Sequence, residues 1–313
     1  MQNTELRPLG AGEILDRAVT LFVRRFVPIV TVLAVVIVPL VILETIASPG
    51  SARVFDDFGK VMAAGSNRTA SKQALDALTR DGQTSPLAYL VMFGGMLARL
   101  LMFSAAVAVI ASAYAGESLA FAAGYQLALR RWGAQIVVAL AYAALAVIAA
   151  IPLFIGAIVF ALILSVVSVA GNPTSTGVVA ILGALLFFAA VLALFGWLYM
   201  AYVLAAVAVV TERADVATAV GAGLRRAFGK PTRWRTLIAG LIAFAITFGG
   251  SLPTIGVAIG VSALLHLPVL YYAIAGAGSV LLEGLMTAFV VVYATDVRVR
   301  REGLDLVPQP SPA

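Results

Sequence analysis

The sequence predicts an all-α fold: a polytopic transmembrane helix bundle with six spans, arranged as three tandem helical-hairpin repeats. Three features predict it: a scarcity of charge, a set of long apolar runs, and a repeated arginine doublet. Of the 313 residues, 62% are hydrophobic and only 12% are charged, whereas a typical soluble domain has about 25% charged residues. Because so few charges cannot cover a water-exposed surface of this length, lipid must surround most of the chain.

Six apolar segments are each long enough to cross a hydrocarbon core, which takes about 20 residues of helix. They cover approximately residues 26–47, 87–114, 134–169, 178–210, 236–264 and 269–297. They form a single membrane domain over residues 1–306, and residues 307–313 are expected to be a disordered cytoplasmic tail.

The repeat is visible as an arginine doublet that ends an amphipathic stretch and precedes a long apolar run. It occurs three times, in units of about 1–115, 116–210 and 211–306. The doublets are Arg24 and Arg25, Arg130 and Arg131, and Arg225 and Arg226. We expect each stretch to be an interfacial helix whose arginines contact lipid headgroup phosphates. A compatible alternative is that the arginines only fix the topology.

The distribution of Lys and Arg predicts that both termini are cytoplasmic. Basic residues concentrate in the N-terminal arm, the second and fourth connections and the C-terminal tail, whereas the third and fifth connections contain none. The first connection, about residues 48–86, has basic residues nearly balanced by acidic ones. Since cytoplasmic loops are enriched in Lys and Arg, the alternation orients the whole bundle.

The first helix of each hairpin carries a proline in its outer half: Pro39, Pro152 and Pro253. Proline removes a backbone hydrogen bond and kinks a helix. Because Gly249 and Gly250 precede Pro253, the fifth span is expected to be interrupted there. Matching interruptions can mark a transporter binding site, but prolines are also common in membrane helices that have no such site.

Two ionisable residues, Arg99 and Glu283, lie deep in the second and sixth spans. Counted from the outer ends, their depths are about 18 and about 21 Å at 1.5 Å per residue. Their similar depth predicts an ion pair facing the bundle interior, because an unpaired charge in lipid is costly. The pair could be structural or could line a substrate or ion pathway. Glu44, near the outer end of the first span, is expected to be wetted at the interface.

Catalytic and cofactor motifs are absent from the sequence. There is no cysteine and only one histidine, and no hydrolase elbow, metalloprotease helix or phosphate-binding loop occurs. We therefore expect no cofactor, no metal site and no enzymatic activity. The chain has a net charge of +6. Because the arginines flank apolar runs, we expect membrane lipids to be the partners of this positive charge, and we do not expect nucleic acid.

Two end segments carry a resemblance to a known family. The opening, from Leu6 to Ala18 (LRPLGAGEILDRA), and the exit, from Tyr293 to Leu306 (YATDVRVRREGLDL), are similar to the ends of certain bacterial multi-pass proteins. Those proteins are related to the membrane domain of glycerophosphoryl diester phosphodiesterases. The resemblance implies a stand-alone membrane domain in the bacterial cytoplasmic (inner) membrane. It does not imply hydrolysis, since the catalytic barrel with its histidines and metal-binding carboxylates has no counterpart here.

The sequence therefore favours a non-catalytic membrane module that organises lipids or protein partners at its cytoplasmic face. A transporter or channel for a small solute or lipid is the alternative, with Arg99, Glu283 and the proline-kinked helices lining the path. A membrane enzyme acting on lipid is a third and weaker hypothesis, because no acid, base or metal cluster is visible. The sequence does not specify an oligomeric state.

The absence of cysteine allows a direct test of the orientation. Single cysteines introduced at Ser118 and Ala214, in the arginine-rich connections, should be protected from a membrane-impermeant maleimide in intact cells. Cysteines at Ser66 and Ser175, in the first and third connections, should be labelled. Labelling of the first pair without permeabilisation would reverse the predicted topology.

Overall fold

The computed structural model describes residues 8–47, 86–170, 173–265 and 267–302, and every regular element among them is an α-helix. In chain order the helices are α1 Ala11–Arg24, α2 Phe26–Ala47, α3 Pro86–Tyr114, α4 Phe121–Ala170, α5 Pro173–Thr211, α6 Val216–Phe228, α7 Arg233–Leu265 and α8 Pro268–Glu302. The all-helical prediction is confirmed. Most of the first connection and the tail at 307–313 lie outside the described residues.

Six of these helices are long and apolar enough to cross a membrane: α2, α3, α4, α5, α7 and α8. They coincide with the six segments predicted from the apolar runs, so a multi-pass membrane protein is confirmed. The other two, α1 with 14 residues and α6 with 13, are too short for the roughly 20 residues that a span requires.

The second unit differs from the prediction of a separate amphipathic helix before each hairpin. There α4 runs without a break for 50 residues, through Arg130 and Arg131 and on into the apolar segment. In the third unit, the turn at Gly229–Thr232 separates α6 from α7. That turn contains Pro231, which has no amide hydrogen to donate. In the second unit no proline lies directly after the doublet, and the backbone hydrogen bonding continues through Gly133.

The prolines do not interrupt the spans. Helices α2, α4 and α7 continue through Pro39, Pro152 and Pro253, so the expected interruption of the fifth span is wrong. Each proline costs one intrahelical hydrogen bond, but the neighbouring turns maintain the helix. The degree of bending at each proline stays a prediction.

Buried side chains concentrate in the half of the bundle that contains the arginine-bearing helix ends. Continuous buried runs occupy Met200–Ala201 and Val203–Val209 near the end of α5, and Ala288–Ala294 near the end of α8. Close approach of two helix backbones contributes to this burial. Helices α6 and α5 are so close at Gly223 that a Cβ atom there would lie 2.4 Å from the carbonyl oxygen of Ala201. Small residues at such contacts are typical of helix association in lipid. The opposite half exposes large apolar side chains, as expected of surfaces that face lipid chains.

Side-chain contacts place the arginine-bearing helix ends on the same side of the bundle. The Arg17 Nη1 of α1 donates to the hydroxyl of Tyr114 at the end of α3, at 3.4 Å. An ion pair of 3.4 Å joins Glu212, just after α5, to Arg298 near the end of α8. We call this side the arginine face. It comprises α1 and α6, the C-terminal ends of α3, α5 and α8, and the N-terminal ends of α4 and α7.

Candidate functional site

The two short helices of the arginine face are amphipathic. Helix α1 buries Ile14 and Ala18 against the bundle, and α6 buries a run of alanine and glycine on α4 and α5. Each ends with arginine in its last turn, where a cation is favoured by the helix dipole. The packing therefore fixes the direction in which each doublet is presented.

The structure divides each doublet into two kinds of arginine. The first members, Arg24, Arg130 and Arg225, are all exposed. The second members are more covered: Arg25 and Arg131 are half-buried, and Arg226 is only 8% exposed. The exposed arginines and the half-buried pair stay candidates for headgroup contact.

Arg226 does not fit its predicted role as a lipid ligand. Its Nη1 and Nη2 donate to the two carboxylate oxygens of Glu212, at 2.7 and 2.9 Å, and Arg298 reaches the same carboxylate from α8. A bidentate, charge-assisted pair of this kind is among the stronger polar contacts in proteins. Arg226 therefore joins α6 to the end of α5 and, through Glu212, to α8.

A second polar centre on the arginine face was not anticipated from the sequence. The amide of Leu9 donates to Asp296 Oδ1 at 2.6 Å. The carbonyl oxygen of Leu9 accepts hydrogen bonds from Arg300 Nη2, at 2.7 Å, and from Arg235. The Asp296 side chain is fully buried, with Arg300 Nε 2.9 Å from Oδ2 and Arg235 Nη2 3.8 Å from it. We call this group of four residues the Leu9 clamp.

The Leu9 clamp links three distant parts of the chain: the segment before α1, the first turn of α7 and the last turns of α8. Leu9 belongs to the opening segment that carries the family resemblance, and Asp296 and Arg300 belong to the exit segment. The available sequence signal was an acid four residues before an arginine, a spacing that pairs charges on one helix face. That spacing could not reveal Leu9, because the partner is a backbone group almost 300 residues away.

Polar contacts also link the spans beneath the arginine face. The Tyr125 hydroxyl of α4 donates to the Val32 carbonyl of α2 at 2.6 Å, and Gln135 donates to the Ala206 carbonyl of α5 at 2.8 Å. The hydroxyls of Thr236 and Tyr293 lie 2.7 Å apart between α7 and α8. In lipid such bonds each contribute about 0.6 kcal/mol on average.

The structure brings Arg99 and Glu283 together and adds Glu44. Arg99 Nη1 donates to Glu283 Oε1 at 3.3 Å, and Arg99 Nη2 lies 3.9 Å from Glu44 Oε1. We call these three residues the charged cluster; it joins α2, α3 and α8. The side chains of Arg99, Glu44 and Glu283 are 45%, 43% and 31% exposed, so the cluster is only partly enclosed, and the expectation that the pair faces the bundle interior stays a prediction. Glu44, expected at the wetted interface, is within ion-pair distance of Arg99.

The three prolines are all exposed. Their rings lie on the outer surface of the bundle, and Pro152 is on α4, which does not contribute to the charged cluster. The described residues hold no group of three or more His, Cys, Asp or Glu side chains placed to bind a metal ion. The described sites therefore provide charges and hydrogen-bonding groups in two places: on the arginine face and at the charged cluster within the spans.

The chain was compared with known proteins by family, by sequence and by structure. No family model, no curated protein and no solved structure matches it.

We expect Asp296→Asn to destabilise the protein, because it removes the anion that Arg300 and Arg235 face in a buried site. Breaking a buried ion pair costs about 3–5 kcal/mol, and the Leu9 amide loses a charged acceptor. Thermal unfolding in detergent, followed by helical circular dichroism, should show a clear fall in midpoint. Asp16→Asn, at an exposed position of α1, is the matched control and should unfold like the wild type. Equal midpoints for both variants would contradict the role given to the Leu9 clamp.

Proposed function

We propose that this protein is a non-catalytic membrane module that organises anionic lipids or protein partners at its arginine face. The observation that carries the proposal is the exposure of the Arg24, Arg130 and Arg225 side chains. Each is the first arginine of a doublet, and each is exposed. Arg24 and Arg225 lie in the last turns of α1 and α6, and Arg130 lies in the continuous helix α4, so each of the three cations is on an ordered helix.

The internal repeat explains why the same cationic feature occurs three times. In our proposal the repeats are α1–α3, α4–α5 and α6–α8, each a hairpin with an amphipathic stretch before it. In the first and third repeats that stretch is a short helix, α1 or α6, lying at the membrane interface. In the second it is the first part of α4. Three like-oriented units would place three arginine doublets on one side of the membrane.

We further propose that the arginine face is cytoplasmic, in the inner membrane of a bacterium. The support is the concentration of Lys and Arg in the connections on that side. The anionic lipids of a cytoplasmic leaflet attract basic residues near the surface. Relationship to the glycerophosphoryl diester phosphodiesterase membrane domains stays a proposal, supported by the two similar end segments, which contact each other through Leu9, Asp296 and Arg300.

Neutralising the exposed arginines should weaken the preference for anionic lipid. Each Lys or Arg near an anionic surface contributes about 1 kcal/mol. The triple variant Arg24→Gln/Arg130→Gln/Arg225→Gln should therefore lose on the order of a hundredfold in affinity for a labelled anionic phospholipid. Energy transfer to that lipid, in nanodiscs that otherwise contain choline-headed lipid, measures the change.

The matched control is the triple Arg→Lys variant at the same positions, which retains the charge and should retain most of the affinity. Higher salt should weaken wild-type binding, because exposed charges are screened, and should affect the Gln variant less. An unchanged affinity in the Gln variant would remove the support for lipid organisation at the arginine face.

Transport of a small solute or lipid is the second candidate, and the charged cluster is the observation that favours it. Charged residues within membrane spans commonly mark substrate or ion pathways. In vesicles containing the purified protein, flux of a labelled solute or lipid should then depend on Glu283, and Glu283→Gln should abolish it. Glu117→Gln, an exposed acid at the arginine face, is the control. Flux that is absent in the wild type, or equal in both variants, would reject this candidate.

A further inference from the structure

An apolar groove of about 430 Å³ lies between α2 and α8, in the half of the bundle away from the arginine face. Ligand-binding cavities commonly have volumes of about 300–1,000 Å³, so this groove is large enough for part of a lipid molecule. Its walls include Ile37, Val41 and Ile46 from α2, and Tyr272, Ala277 and Val280 from α8.

Small residues on α8 create the groove. The two helices approach closely at Gly276, where a Cβ atom would lie 2.8 Å from Val41 Cγ2. Ala273 and Ala277, on the same side of α8, contribute only methyl groups and are exposed. Because no large side chain projects from α8 at these three residues, an alkyl chain can lie along the helix there.

The groove and the charged cluster share the same two helices. Glu44 directly precedes the groove residue Thr45, and Glu283 follows the groove residue Val280 by one helical turn. The distance of 3.9 Å from Glu44 to Arg99 is beyond hydrogen-bond range, so that carboxylate can accept further donors. With one arginine and two glutamates, the cluster has a formal charge of −1, which is complementary to a cation.

The position of Glu44 suits a lipid head group. Glu44 lies 18 residues after Phe26, or about 27 Å along the helix axis. The hydrocarbon core is about 30 Å thick, so Glu44 is near the membrane boundary opposite the arginine face. A head group at that boundary can reach the carboxylate while its acyl chain extends into the groove.

We propose that the groove and the charged cluster together bind one phospholipid with a primary ammonium head group. The ammonium donates a hydrogen bond to the carboxylate of Glu44 at the outer end of the groove, and one acyl chain occupies the groove between α2 and α8. A primary ammonium has three N–H donors, whereas a trimethylammonium has none, so the site distinguishes ethanolamine-type from choline-type lipids. This inference is independent of the function proposed for the arginine face.

The test uses the purified full-length protein with equimolar ethanolamine-headed and choline-headed phospholipids that have identical chains. Native mass spectrometry counts the lipids that remain bound. We expect the ethanolamine-headed lipid to be preferred by about tenfold, which corresponds to one charge-assisted contact of the strength usual in proteins. Glu44→Gln/Glu283→Gln, which changes the formal charge of the cluster from −1 to +1, should abolish that preference.

A second variant tests the groove separately from the charges. Ala277→Phe fills the groove at an exposed position, so the helices need not move, and it should lower retention of the ethanolamine-headed lipid several-fold. Ala190→Phe, at an exposed position of α5, is the matched control and should retain wild-type binding. The Arg24→Gln/Arg130→Gln/Arg225→Gln variant should also keep the ethanolamine preference, so failure of one proposal is distinguishable from failure of the other.

Two results would overturn the proposal. Equal retention of the two lipids by the wild type would show that the head group is not recognised. Unchanged retention in Ala277→Phe would show that the chain does not occupy the groove. If the double glutamine variant does not fold, Ala277→Phe and the wild-type competition still decide between these results.

Discussion

Lipid chains solvate an apolar side chain about as well as another helix does, so the helices of this protein cannot be held together by hydrophobic burial alone. They depend on close packing of small residues and on polar contacts between spans. Both are concentrated in the half of the bundle next to the arginine face. Gly223 approaches the backbone of α5 there. The Arg226–Glu212 pair and the Thr236–Tyr293 contact join neighbouring helices, and the Leu9 clamp joins segments that are distant in sequence.

The uneven distribution of these contacts gives the molecule two halves with different properties. The half next to the arginine face has a continuous buried core and paired charges, and it orders the exposed cations. The opposite half exposes its apolar side chains, has the groove between α2 and α8, and contains the partly exposed charged cluster. An ordered cationic surface suits recruitment of anionic groups. An open groove beside a cluster of net negative formal charge suits entry of an amphiphile from the bilayer.

Arginine illustrates how one residue type serves different purposes in a chain with few charges. Arg226 and Arg300 are positioned by carboxylates and connect their helices to other segments of the chain, whereas Arg24, Arg130 and Arg225 are exposed. Arg99 lies in a membrane span and contacts two carboxylates at different distances. Loss of a paired arginine leaves an uncompensated buried carboxylate and destabilises the fold. Loss of an exposed one reduces the positive charge of the arginine face.

The sequence by itself determined the helical fold class and the six spans, because apolar runs of sufficient length and scarce charges leave few alternatives to membrane helices. The matching depths of Arg99 and Glu283 also predicted two residues that the structure brings together. Only the tertiary structure decided which arginine of each doublet is exposed, because side-chain burial depends on neighbours such as Glu212 that helix packing supplies. It alone placed Glu44 beside Arg99 and the backbone of Leu9 on Asp296. Such contacts between distant segments have no local signal, since hydrophobic periodicity and charge spacing report only on a residue's own helix.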